Sequence, residues 1–293
     1  MVRFSPKCFL VLGKQLLGTP ETFCLRRDED DFKNAFGVSP FACSVAWESI
    51  QVDKAKPKHL LWTLMWLRKY DDETALARQL KISRITLRKW IWLIVPSLAD
   101  QVDKFIIWAK RKRNTNASTW CWISVDGTDF RINEPTPFSS GWYSHKYKAA
   151  GVRYEIGICI GSGDIVWVNG PFPCGKWPDL KIFRENGLKD ALEPGEMVEA
   201  DNGYRGEPKH IRIKDDYHSK MERKEKERIR ARHETVNRRF KQFKILHDVF
   251  RHNLKLHRHV FRAVVVLTQI EIDCGNTPFA AWQDTVRPRI YNR

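Results

Sequence analysis

The hydrophobic period of this chain changes once, across the basic and polar stretch KRKRNTNAST at 110–119, and no other feature restricts its fold as much. Before that stretch, apolar residues recur at helical spacing. In PKHLLWTLMWLRKY (57–70), Leu60, Leu61, Leu64 and Leu67 share one broad face. In DDETALARQLKISRITLRKWIWLIVP the spacing predicts a helix from about Glu73 to Leu80 and a tight turn at Lys81 and Ile82. A second helix follows, capped by Ser83 and stopping before Pro96. This is a helix-turn-helix layout. Ala77 is small enough for a close crossing, and Leu76, Leu80, Ile82 and Leu87 can fill a shared core. Arg84, Arg88 and Lys89 fall on the exposed face of the second helix, placed to touch phosphates or base edges. Any antiparallel helix pair with basic residues gives the same pattern. An earlier stretch, FKNAFGVSPFACSVAWESI, repeats the order helix, glycine turn, helix. A helical N-terminal domain is therefore expected over 1–112 and a second domain over 118–293.

Beyond the stretch the pattern becomes that of strands. TWCWISVDGTDFRI reads as a strand ending at Asp126, a turn, and a second short strand. YEIGICI (154–160) and DIVWVNGPF (164–172) read as a hairpin closed by Gly161-Ser162-Gly163. WPDLKIFRENGLKDAL (177–192) is helical, MVEAD is a short strand, a charged helix covers about 220–246, and HRHVFRAVVVLTQIEI is a last apolar helix. This order fits an α/β domain, a mixed sheet flanked by helices.

Charge narrows the partners. Lys and Arg number 51 against 35 Asp and Glu, a net charge of +16 with a pI near 9.6. Such an excess attracts polyanions, nucleic acid first and anionic membrane second, although a basic soluble surface has the same composition. The apolar N-terminal run in MVRFSPKCFLVLGKQLL is too short to span a bilayer and no small-residue cleavage site follows, so neither membrane insertion nor secretion is expected. Seven cysteines are scattered without a Cys-x-x-Cys pair, which argues against a zinc ribbon and for reduced thiols inside a cell. The histidines show no metal-ligand spacing, and the His257-Arg258-His259 run reads as surface.

Two strands end in acids. If the strands of Asp126 and Asp201 are parallel neighbours, both carboxylates emerge at one edge of the sheet, where α/β folds place their sites. Two close carboxylates repel unless a proton or cation joins them. All-oxygen ligation suits Mg²⁺ or Mn²⁺, and two ions about 4 Å apart can hold the attacking and leaving oxygens of a phosphodiester displacement. The plainer reading is that DG and DNG are turn sequences. A third acid has four candidates on the charged helix, Glu222, Glu225, Glu227 and Glu234. Ile229, Val236, Phe240 and Phe243 form its apolar stripe, and Glu227, Arg230, Glu234 and Lys241 share the opposite face, which ordinarily meets solvent.

The words SVDGTDFRI, WYSHKYKAAGVRYEIGICI, GPFPCGKWPDLKIFR, EADNGYRGE and RARHETVNRRFKQF follow in this order between Ser124 and Phe243. Together they resemble the DDE transposases of the Harbinger-like and related bacterial insertion-sequence groups. The resemblance implies a ribonuclease-H-like fold and a catalytic, metal-holding triad of Asp126, Asp201 and Glu234, with Asp179 as a possible accessory acid or a plain helix cap. In related enzymes the third acid lies in a Tyr, Arg, Glu, Lys signature. Arg230, Glu234 and Lys241 match it, whereas Glu227 stands where Tyr is expected. The resemblance also implies two Mg²⁺ or Mn²⁺ ions and double-stranded DNA as substrate, both transposon ends and target. Oligomerisation on DNA and a nuclear location in a eukaryote, or cytoplasm and nucleoid otherwise, come with it. Arg84, Arg88, Lys89, Arg230, Arg238 and Lys241 are the expected DNA contacts. A domesticated, non-catalytic DNA-binding protein derived from such an enzyme is the alternative.

Overall fold

The computed structural model describes residues 4–19, 25–113, 121–216 and 219–279. The expected domain boundary therefore falls largely outside the described residues, as does the side chain of Glu222. The first half is helical: α1 (Pro6–Leu17), α2 (Leu25–Phe36), α3 (Pro40–Ser49), α4 (Pro57–Lys69), α5 (Glu73–Gln79), α6 (Arg84–Ala99) and the single turn α7 (Val102–Phe105). The helix starts follow local chemistry. Ser5 and Ser39 each precede a proline and accept a backbone N–H three residues on; Asp72 caps α5 and Ser83 caps α6 in the same way.

Helix α6 does not stop before Pro96. It runs through the proline to Ala99, because Ile91, Ile94, Val95, Leu98 and Ala99 are all buried on one face against α4 and α12 (His257–Asp273). Losing the last turn would expose that face. The missing N–H of one proline costs less than this when tertiary packing holds the helix on both sides.

The second half holds β1 (Cys121–Arg131), β2 (Tyr143–Ser144), β3 (Ala149–Cys159), β4 (Ile165–Pro173), α8 (Asp179–Glu185), α9 (Leu188–Ala191), β5 (Met197–Glu199), β6 (Ile211–Arg212), α10 (Lys220–Gln242), α11 (Lys244–His247) and α12. The hairpin of β3 and β4 forms as expected. The expected break after Asp126 does not. β1 continues unbroken because Asp126, Gly127 and Thr128 stay in antiparallel register with Ile156, Glu155 and Tyr154 of β3. Pairing with a neighbouring strand outweighs the turn preference of an Asp-Gly pair. The sheet is mixed: β4, β3 and β1 are antiparallel, then β5 and β6 run parallel to β1, with the two-residue β2 also on β3. This order is compatible with a ribonuclease-H-like fold.

Strand alternation sorts β1 between two layers. Ser124, Asp126 and Phe130 face α10 and α12, while Ile123 and Val125 pack with Phe183 and Tyr204 beneath α8. The larger hydrophobic core is continuous from Phe9 and Leu64 through Ile91 and Val264 to Phe130, Tyr154 and Phe240. The N-terminal helices and one face of the sheet thus share a single interior. His257 belongs to it and is not on the surface: it starts α12 fully buried, with Nδ1 2.8 Å from the Tyr154 hydroxyl. Among the described residues, no helix is long and apolar enough to cross a membrane.

Candidate metal centre

β1 and β5 are parallel neighbours, with Ser124 opposite Glu199, so Asp126, still within β1, and Asp201, just past the end of β5, come to adjacent positions two residues further on. Asp201 also does what a turn aspartate does. Its Oδ1 accepts the Gly203 N–H at 2.8 Å, which fixes the carboxylate at the mouth of the turn.

A third carboxylate joins them from the opposite face. Asp179 is the first residue of α8, with Pro178 in the capping position, so it is not the cap of that helix. Gly127 and Gly203 make room for it. A Cβ on Gly127 would overlap Asp179 Oδ1, and one on Gly203 would stand 3.2 Å from Asp179 Oδ2 and 3.0 Å from Asp201 Oδ1. Both glycines therefore serve close approach of acid to acid.

The electrostatics follow from that crowding. Burial, then Asp201, then Asp179 push the Asp126 carboxyl up to about 7. Burial raises Asp179 to about 6; Arg153 opposes the rise and Asp201 adds to it. Beneath them Glu155, opposite Gly127 and fully buried, is pushed by burial to about 8 while accepting a hydrogen bond from Trp167 Nε1 at 3.0 Å.

Glu234 stands apart. It is 63% exposed on α10 and pairs with Arg230 at 3.2 Å. Arg238 is exposed on the same helix, while Lys241 is half-buried and donates to the Tyr147 hydroxyl at 3.1 Å, its pKa lowered by burial. The apolar stripe of Ile229, Val236, Phe240 and Phe243 is buried as expected. The basic character of α10 is only partly available to a partner. Lys226 is buried against Glu199 at 2.6 Å, and Arg232 is buried with Nε donating to the Phe279 carbonyl at 2.7 Å. On α6, Arg84, Arg88 and Lys89 are exposed, and each arginine Nε lies 3.7 Å from Glu73 Oε2.

Sequence reasoning missed Asn237, whose Nδ2 donates to Asp126 Oδ2 at 3.3 Å, and His233, whose Nδ1 lies 3.1 Å from Ser124 Oγ. It also missed Arg153, which binds Asp129 through Nε at 2.7 Å. The four-residue step from His233 to Asn237 to Lys241 was the available signal: it marks one helix row beside the apolar stripe.

Among the described residues no group of three or more His, Cys, Asp and Glu side chains is arranged to hold a metal ion. The donor chemistry nevertheless fits a hard divalent cation. The edge offers only oxygen donors, and Asp179 Oδ1 and Asn237 Oδ1 are both buried without a hydrogen-bond partner. Asp179 Oδ1 lies 3.3 Å from Arg153 Nη1, and Glu234 pairs with Arg230.

Residues 125–269 match the family described as DDE superfamily endonuclease, and the chain carries a domain of that family. The matched segment begins one residue before Asp126 and contains Asp179, Asp201 and Glu234. No curated protein and no solved structure matches the chain.

Proposed function

We propose that this chain is a metal-dependent DNA nuclease and strand transferase of the DDE type, with Asp126, Asp201 and Glu234 as its acids. The observation that carries this reading is the meeting of Asp126, inside β1, with Asp201, just past β5, and Asp179, with Asp126 held near pKa 7 by burial and its neighbours. Crowding three carboxylates has a cost that Arg153, 3.3 Å from Asp179, offsets only in part and that a site for Mg²⁺ or Mn²⁺ explains.

Two divalent ions, when bound, activate a water and neutralise phosphate charge during phosphodiester cleavage. The residues do the rest. Asp126 and Asp201 hold the cations from two strands whose register is fixed by the sheet. Glu234 lies one turn before Asn237 on α10, and its approach to the edge requires it to leave Arg230. Release from Glu234 frees the Arg230 fork for a phosphate, with Lys241 beside it. Asp179 serves as an accessory acid. A freed 3′-hydroxyl is the nucleophile for joining to target DNA, so no protein nucleophile is required.

Residues 1–112 form the end-recognition part, reading DNA through Arg84, Arg88 and Lys89 of α6, and 118–293 form the cutting part. Arg230 and Arg238 extend the phosphate track along α10. The enzyme works as a homo-oligomer on DNA, in the nucleus of a eukaryote or in the cytoplasm and nucleoid of a bacterium. One observation favours a second reading, a non-catalytic DNA-binding protein: the outward, ion-paired position of Glu234.

A nicking assay on DNA carrying the flanking terminal repeats, with Mg²⁺ or with EDTA, decides between them. Metal-dependent nicking that is lost in Asp126→Ala and in Asp201→Ala supports the enzyme. Binding without nicking under every condition supports the second reading.

A further inference from the structure

Helix α10 meets the sheet through a polar row. Lys226 reaches Glu199, His233 reaches Ser124, Asn237 reaches Asp126 and Lys241 reaches Tyr147. At Asn237 the contact is half made. Its Nδ2 donates to Asp126 Oδ2 at 3.3 Å, and its Oδ1 is buried with no hydrogen-bond partner. Asp179 Oδ1 at the same edge is likewise buried without a hydrogen bond. An orphaned amide oxygen beside the Asp126 carboxylate lacks a partner, a group that accepts electron pairs from oxygen.

We infer that Asn237 is itself a ligand of the divalent cation held at Asp126, its Oδ1 filling a coordination position. This rests on the metal-dependent reading above and extends it to a residue outside the three acids. The amide suits the place. It is a hard oxygen donor of the kind Mg²⁺ and Mn²⁺ accept, and it adds no charge to a cluster already crowded with acids. Its Nδ2 keeps one Asp126 oxygen engaged, leaving the other for the ion. Glu234, on the outer side of the same helix, is left for the second ion.

The test is Mn²⁺ binding to the full-length protein without DNA, followed by isothermal titration calorimetry. Wild type is compared with Asn237→Ala, Asn237→Asp and Asp126→Asn, and thermal unfolding in EDTA is followed for each. Asp126→Asn should lose the site. Asn237→Ala should weaken Mn²⁺ binding about tenfold, within the range for residues that tune a metal site. Asn237→Asp, which keeps the oxygen and adds charge, should bind at least as tightly as wild type. Should Asn237→Ala not fold, Asn237→Asp carries the test alone: binding looser than wild type means that position 237 only donates to Asp126, and the ligand role is overturned. Unchanged affinity in Asn237→Ala with loss in Asp126→Asn also overturns it while leaving the metal reading intact. Wild-type affinity in Asp126→Asn removes the metal reading itself.

Discussion

Asp126 and Asp129 lie three residues apart on one strand, and the two regions around them could hardly differ more. Asp129 is 2% exposed and fully matched: Arg153 donates from Nε at 2.7 Å and from Nη2 at 3.1 Å, and Ser144 Oγ donates at 2.6 Å. These donors outweigh burial and hold its pKa below the usual carboxylate value. For Asp126, the Asn237 amide at 3.3 Å, the Gly127 N–H and the Lys146 charge do not offset burial and two other acids, and it is pushed up to about 7. The first region is architecture, an ion pair that fastens β1 to β3. The second leaves its charge unresolved. The difference teaches where to look for function: a fold resolves the charges it needs for itself and leaves open those meant for a ligand.

The contrast can be broken by mutation. The largest effect is expected on chemistry: Asp126→Ala should abolish Mg²⁺-dependent nicking while DNA affinity, read by fluorescence anisotropy, stays close to wild type. Nicking that survives would place Asp126 with Asp129, among the structural acids. Next comes stability. Arg153→Met strands Asp129 in the interior, and breaking such a pair should cost about 3–5 kcal/mol in denaturant unfolding. A loss well under this would mean that Asp129 too can do without its partner.

The pH dependence sharpens the comparison further. The folded protein holds the Asp126 proton up to about pH 7, whereas its ordinary value is 3.8. The folded state therefore binds more protons than the unfolded state between those values. Stability present below the lower value is lost as pH rises toward 7, by a few kcal/mol at most. Unfolding in EDTA should show this decline, and Asp126→Asn should flatten it. Adding Mg²⁺ should also raise the wild-type midpoint at pH 8. The smallest effect belongs to the distant helix: Arg84→Ala or Arg88→Ala should each reduce the salt slope of DNA binding by about 1. An unchanged slope would remove α6 from the DNA contacts.

Much of this was legible in the sequence. Apolar runs leading into Asp126 and Asp201 marked both acids, and their shared edge was conditional on parallel neighbouring strands, a pairing that β1 and β5 make. The stripe on α10 and the Ser83 cap were legible for the same reason. What was hidden depends on contacts between distant segments. Asp-Gly is a turn in isolation and a strand interior once β3 pairs with it. Pro96 ends a helix in isolation and is carried through when α4 and α12 clamp both sides. The partners of Asp129 and Asp126, at positions 153 and 237, lie 24 and 111 residues away, and no spacing rule reaches that far. Asn237 was hidden for a further reason: a neutral amide among eleven Lys and Arg between 220 and 244 carries no charge signal.

The single interior that runs from Phe9 to Phe240 has a mechanical consequence. On the proposed reading, the helix that would grip DNA and the acids that would cut it are packed against one continuous core. The distance from gripped base pairs to broken bond then becomes a fixed ruler, stamped into the protein's own packing. Insertions between α6 and β1 that lengthen a tether in other proteins would here leave that measure unchanged.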